Sequence, residues 1–178
     1  MNNRVLRMSA LLFLVCAIVA GVLGGVNVMT AGRIDEQKRL ATERAYQAVL
    51  PAQSYEEIAY TGSIEGVESV SRCEEGFVIT IRFGGSQGEL SMVTGVDRGF
   101  RCTGISIISH KETSGLGAEA AGKSEKSASW RAQFVGLGED MAVSKDGGEI
   151  EAIAGATITS RAVTKAAANC IRVARELS

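Results

Sequence analysis

Proline is almost absent from this chain: Pro51 is the only one among 178 residues. Aromatics make up 5% of the sequence, and His110 is the single histidine. Each scarcity narrows the field. With 21 glycines beside one proline, the composition suits a compact domain with many tight turns better than a disordered chain. So few aromatics give no base-stacking surface, and a formal net charge of −1 gives no attraction to phosphate backbones. No nucleic-acid partner is expected on either ground. The four cysteines (Cys16, Cys73, Cys102 and Cys170) contain no C-x-x-C pair, so zinc or iron–sulfur ligation by this chain is not expected. For Cys73 and Cys102 the sequence leaves two readings open, an extracytoplasmic disulfide or buried thiols. No G-x-G-x-x-G follows a strand pattern, which leaves a dinucleotide site of that type unsupported.

Charge is also missing from one long stretch. Residues 8–32, "MSALLFLVCAIVAGVLGGVNVMTAG", carry none. A membrane span needs about 20 mostly apolar residues, and this run supplies them. A cleaved signal peptide has a shorter apolar core, about 7–15 residues, and a small-x-small site that "VMTA" does not offer. The run therefore reads as a single-pass signal anchor. Arg4 and Arg7 place the short N-terminus, residues 1–7, in the cytoplasm, although Arg33, Lys38 and Arg39 follow on the far side. The main body is then expected to be membrane-tethered and extracytoplasmic.

Beyond the anchor, residues 33–60 read as a helical stalk: apolar positions from Ile34 to Val49 share a face, and Pro51 marks a stop. Residues 61–178 form the expected soluble domain. "FVITIRF" (77–83), "LSMVTGV" (90–96) and "GISIIS" (104–109) have the β-branched look of half-buried strands, with turns at 84–88 and 97–99. Short turns between consecutive strands imply an antiparallel meander. A polar, glycine-bearing loop follows from His110. Trp130 and Phe134 then face a core at i, i+4 spacing on a short helix. Val163, Ala167, Cys170, Ile171, Ala174 and Leu177 repeat with helical period, so a final helix packs on the sheet. The fold class is α+β: an antiparallel sheet flanked by helices, behind one N-terminal transmembrane helix.

The chemistry concentrates at the start of that final helix, in "IAGATITSRAVTKAA" (153–167). A helix N-terminus leaves backbone N–H groups unpaired and carries partial positive charge, which favours phosphate. Gly155 and Ala156 open the backbone to a bulky group, and Arg161 and Lys165 add cations nearby. Thr157, Thr159 and Ser160 are also ordinary N-cap residues, worth about 1 kcal/mol each in that role. No general base lies near them in sequence, so a Ser or Thr hydrolase is a poor fit.

"GATITSRAVTKA" resembles the flavinylation motif of the FMN-binding domain found in RnfG, a component of the Rnf complex, and in the corresponding flavin-bearing component of the sodium-pumping NADH:quinone oxidoreductase. "SHKETSGLG" (109–117) is similar to that family's His-Lys-Glu-Thr-Pro-Gly-Leu-Gly loop, and "WRAQFVG" (130–136) to its Trp-x-x-x-Phe segment. The likeness spans nearly the whole chain and includes the membrane anchor. It implies FMN attached covalently, by a flavin transferase using FAD, through a phosphoester to Thr157. Gly155, Ala156, Thr159 and Ser160 would surround the phosphate, and His110, Glu112, Thr113, Gly115, Leu116 and Gly117 would wall the isoalloxazine. It further implies an electron-carrying component of an ion-translocating ferredoxin:NAD⁺ oxidoreductase, partnered by the other Rnf subunits and without turnover of its own. The short chain and the 110–117 loop lie nearer RnfG than the quinone-oxidoreductase counterpart. A flavin-free, membrane-tethered assembly protein is the reading of a different class. The chain departs from the motif at Glu151, where Asp is usual, at Ala154, where Ser or Thr is usual, and at Ser114, where proline is usual.

Overall fold

A computed structural model describes residues 3–178. The chain divides into two compact units, one up to Leu40 and one comprising Ala41–Ser178. Helix α1 runs over Asn3–Val49. In the first unit its apolar side chains, Leu11, Leu12, Phe13 and Val15 among them, are exposed. The helix is long and apolar enough to cross a membrane.

The second unit is built on one five-stranded sheet: β1 (Glu56–Ile58), β2 (Val67–Cys73), β3 (Gly76–Gly84), β4 (Glu89–Asp97) and β5 (Cys102–His110). The strands lie in sequence order and every pair is antiparallel. Tight chemistry makes the turns. At the β2–β3 hairpin Gly76 takes φ +153°, and a Cβ there would lie 2.1 Å from the Val96 carbonyl oxygen. At the β4–β5 corner the Asp97 carboxylate accepts from the N–H groups of Gly99 (2.8 Å) and Arg101 (2.9 Å), a local side-chain turn.

Side chains alternate between the two faces of the sheet, and each face has its own cover. Phe77, Ile79, Ile81, Leu90, Met92, Val96, Cys102 and Ile105 pack in one core with Val163, Ala167, Cys170, Ile171 and Ala174 of helix α3 (Thr157–Glu176). The alanines along α3 let its backbone approach the sheet closely. Val78 and Val93 point the other way and meet Ala45, Val49 and Leu50. Tyr46 anchors this second cover, its hydroxyl within hydrogen-bond distance of Ser69 Oγ (3.0 Å) and Thr80 Oγ1 (3.2 Å). The Val49 carbonyl accepts from Thr103 Oγ1 at 2.5 Å.

The expected helical stalk over 33–60 therefore ends earlier. The helix stops at Val49, just before Pro51, and residues 56–58 are strand β1. Residues 41–50 belong to the folded unit because they cover an apolar sheet face. The three expected strands extend by one to two residues at their ends. Strands β1 and β2 escaped the sequence pattern because "EEI" and "VESVSRC" carry too few apolar residues to show a period.

Helix α2 (Glu125–Ala132) is capped by Ser124, whose Oγ accepts from Ser127 N at 3.1 Å. As expected, Trp130 and Phe134 are buried together, edge to face with ring centroids 5.2 Å apart. Trp130 Nε1 also donates to the Glu151 carbonyl (2.8 Å), and Gln133 Oε1 accepts from Glu151 N (2.8 Å). These two bonds fix the chain that leads into α3.

The cysteines are free thiols. Cys73 on β2 and Cys102 on β5 stand three strand spacings apart, about 14 Å at ~4.8 Å per strand. A disulfide needs Cα atoms within roughly 7 Å, so the pairing is excluded within the sheet. Burial pushes the thiols of Cys102 and Cys170 up to about 12, where almost no thiolate exists at neutral pH. In a Cys16→Ser chain, iodoacetamide at pH 8 should modify Cys73 first, with Cys102 and Cys170 reacting only as the protein unfolds. Mass spectrometry of native and urea-treated samples checks this; equal native labelling of all three would contradict the packing described.

Candidate cofactor site

Helix α3 begins without a side-chain cap. Ala156 occupies the N-cap position (φ −129°, ψ 42°) and makes no side-chain cap bond to the first turn. The expected capping by Thr159 and Ser160 is thus corrected, because both hydroxyls are engaged elsewhere. Ser160 Oγ donates to the Ala156 carbonyl (3.0 Å) and accepts from Ile153 N (3.0 Å). Thr159 Oγ1 donates to Glu112 Oε2 at 2.9 Å. Both side chains are fully buried, so they hold the 153–160 segment together and do not face a ligand.

Thr157 is different. It is the first residue of α3, half-buried, and its Oγ1 accepts from Lys145 Nζ at 3.1 Å. Gly155 precedes it with φ +75°, and a Cβ there would lie 2.9 Å from Leu116 Cδ2. Leu116 is 43% exposed and Ile158 62% exposed, so large apolar side chains flank the threonine on the open surface. Ala156 is turned into the core.

The 110–117 loop is carried to α3 by Glu112. This carboxylate is 8% exposed, yet it is fully employed. Oε1 accepts from Ser86 N (2.7 Å) and Gln87 N (3.3 Å), while Oε2 accepts from Thr159. It is an internal strut, which corrects its expected role as a polar wall to a ligand. Gly117 permits the approach: a Cβ there would come within 2.3 Å of Glu112 Oε2 and 2.8 Å of Thr159 Oγ1. Gly115 bends the loop at φ +77°, and the Thr113 carbonyl accepts from Leu116 N and Ala118 N, both at 3.2 Å. The Thr113 side chain and Ser114 are exposed. His110 is exposed at the end of β5, opposite Leu90.

Cations are arranged differently from expectation. Arg161 is committed to Asp146 by two bonds, Nε to Oδ2 (2.7 Å) and Nη2 to Oδ1 (2.6 Å). This hydrogen-bonded guanidinium holds the Asp146 carboxyl below its usual range, and the pairing raises Arg161. The lowered carboxyl means that the pair stabilises the fold above the ordinary carboxylate pKa and ceases to do so as pH falls through the depressed value. Both groups are exposed, so its chief effect is positional. It docks the 3₁₀ turn Ser144–Asp146 on α3 and brings Lys145 to Thr157. Lys165 lies about two helical turns further along α3. The sequence carried no sign of Lys145: "SKDGG" reads as a turn, and only its docking shows where the lysine reaches.

Cavities of about 460 Å³ and 520 Å³ lie elsewhere, the first lined by Phe100, Leu137 and Arg175 among others, the second by Phe83, Ala166 and Lys165 among others. Thr157 stands on open surface, where reversible binding of a small molecule gains little burial. An uncapped helix start, a cation and an outward-facing hydroxyl fit a phosphate group, and the flanking Leu116 and Ile158 fit an aromatic ring system.

The profile of the FMN-binding domain matches residues 85–172, and that of the RnfG N-terminal region matches residues 1–49. The G component of the Na⁺-translocating ferredoxin:NAD⁺ oxidoreductase complex of Acetobacterium woodii is 35% identical, across 98% of this chain and 93% of that protein. The chain belongs to the RnfG family. The G component of the ion-translocating oxidoreductase complex of Stutzerimonas stutzeri is 34% identical, across 92% of this chain and 78% of that protein. Its counterpart from Methanosarcina acetivorans is 27% identical, across 93% and 92%. The matched RnfG regions follow the structure: the N-terminal region ends where α1 ends, at Val49. The FMN-binding region starts at Gly85, beside the two backbone donors to Glu112, and contains Thr157.

Replacing Glu112 by Ala leaves the buried Thr159 hydroxyl, and the N–H groups of Ser86 and Gln87, without their acceptor. Stability should fall by about 1.5–3 kcal/mol, the range for a hydrogen bond to a charged group. Amide exchange should rise around residues 85–88 and 157–160 while β2 stays protected. Unchanged exchange at both segments would show that Glu112 does not join them.

Proposed function

We propose that this chain is the electron-carrying component of a membrane-bound, Rnf-type ion-translocating ferredoxin:NAD⁺ oxidoreductase, with FMN covalently linked through a phosphoester to Thr157. The observation that carries the reading is the Thr157 hydroxyl: half-exposed, at an uncapped helix start, and in contact with Lys145. The FMN-binding domain match around it supplies the cofactor's identity. RnfG relatives similar along nearly the whole chain support the complex.

FMN accepts and gives one or two electrons, which suits a relay between carriers of either kind. What the chain's own residues do is hold it. Thr157 provides the tether, the first turn of α3 and Lys145 offset the phosphate charge, and Gly155 keeps the backbone low. Leu116 and Ile158 offer apolar contact to the ring. Glu112, Thr159 and Ser160 fix the frame from inside. His110, Thr113 and Gly115 set the rim of the loop.

A covalent tether answers the open surface: a domain on the extracytoplasmic side loses a dissociated cofactor to the surroundings. That orientation follows from Arg4 and Arg7 ahead of the apolar run, with the N-terminus cytoplasmic. The partners are the other Rnf subunits and, during maturation, a flavin transferase; the chain turns over no substrate alone. Glu151 and Ala154, two of the departures from the motif, are both exposed, so neither disturbs the core that presents Thr157.

Coexpression with a flavin transferase, followed by denaturing electrophoresis, tests the reading by in-gel flavin fluorescence. Thr157→Ala should abolish the band. Thr159→Val should retain it with reduced stability, because it removes a donor to Glu112. No fluorescence in the wild-type chain, or loss with Thr159→Val alone, would overturn the assignment.

A further inference from the structure

We propose that Lys145 is the positioning residue for phosphate at Thr157, acting on the incoming flavin phosphate during attachment and on the phosphodiester afterwards. The inference rests on the reading of Thr157 as the FMN acceptor.

Among the described residues, geometry places this lysine and no other cation in hydrogen-bond contact with the hydroxyl. Its Nζ donates to Thr157 Oγ1 at 3.1 Å. The turn that bears it is fastened at both ends. Ser144 N donates to the Ile150 carbonyl (2.8 Å) and Asp146 N to the Val143 carbonyl (2.8 Å), with Val143 and Ile150 both buried. Gly147 closes the turn at φ +87°, and Asp146 clamps Arg161 on α3. Because that clamp uses Arg161, the nearest guanidinium on the helix is spent on holding the turn. Lys145 itself is exposed, so its ammonium can shift from the hydroxyl to a phosphate oxygen.

The chemistry needs such a cation. In attachment, a bond forms between Thr157 Oγ and the flavin-side phosphorus of FAD, and the phosphoanhydride bond to the adenylate breaks. AMP departs with the bonding electron pair, the hydroxyl proton passes to solvent, and nothing is oxidised or reduced. Loss of the hydroxyl proton gives Oγ alkoxide character, and the transferring phosphoryl oxygens carry negative charge, so an ammonium beside them favours the attacking group and the phosphoryl group alike. The product retains one phosphodiester charge on exposed surface, and the same ammonium offsets it together with the uncapped first turn of α3.

The test uses the full chain in detergent with purified flavin transferase and FAD, following FMN incorporation by intact mass in wild type, Lys145→Ala and Lys145→Arg. Lys145→Ala should slow incorporation about tenfold, the scale of one charge-assisted hydrogen bond. Lys145→Arg should recover most of the rate. The ³¹P resonance of the attached phosphodiester should move in Lys145→Ala and return towards the wild-type position in Lys145→Arg, a response that a merely structural role would not produce. Equal rates in wild type and Lys145→Ala, or equal slowing by both substitutions, overturn the assignment of Lys145 while leaving Thr157 standing. No incorporation into the wild-type chain overturns the Thr157 reading and this inference with it.

Discussion

The Glu112 carboxylate joins three segments that are remote in sequence: the β3–β4 turn through Ser86 and Gln87, the 110–117 loop on which it sits, and α3 through Thr159. A buried carboxylate is costly unless its lone pairs are filled, and here backbone and hydroxyl donors fill them. The exposed surface at Thr157 depends on this hidden contact. It fixes where Leu116 lies against Gly155, and it withdraws one of three neighbouring hydroxyls from solvent.

The division of labour along residues 157–160 follows from helix geometry. On α3 the side chains of Thr159 and Ser160 point into the domain, where one meets Glu112 and the other closes on Ile153 and Ala156. Thr157 points out to Lys145. Neither inward hydroxyl caps the helix, so its first-turn donors remain directed at the surface beside Thr157. A surface that suits an anion is thereby formed from a segment whose composition suits a plain helix cap, and the difference lies wholly in which way each hydroxyl faces.

Much of this was legible in the residues. The periodicity of α3, the β-branched runs of β3 to β5, and the Trp130–Phe134 pair all reported the core directly, because burial repeats leave a pattern. The motif around Thr157 and the 110–117 loop reported the family. What stayed hidden were elements without a pattern of their own. Strands β1 and β2 take their place from their neighbours' hydrogen bonds. Residues 41–50 looked like a solvated stalk because charges surround the few apolar residues that meet Val78 and Val93. Glu112 and Lys145 act through tertiary contacts spanning 47 and 12 residues, which local spacing does not encode.

The central claim, that this chain bears FMN on the one outward-facing hydroxyl of the cluster, is tested most directly by localising the modification. Peptides covering residues 146–161 of the protein matured with a flavin transferase should carry the added mass of an FMN ester, and fragment ions should place it on Thr157. An FMN mass on Thr159 or Ser160, or unmodified peptide alone, would contradict the account.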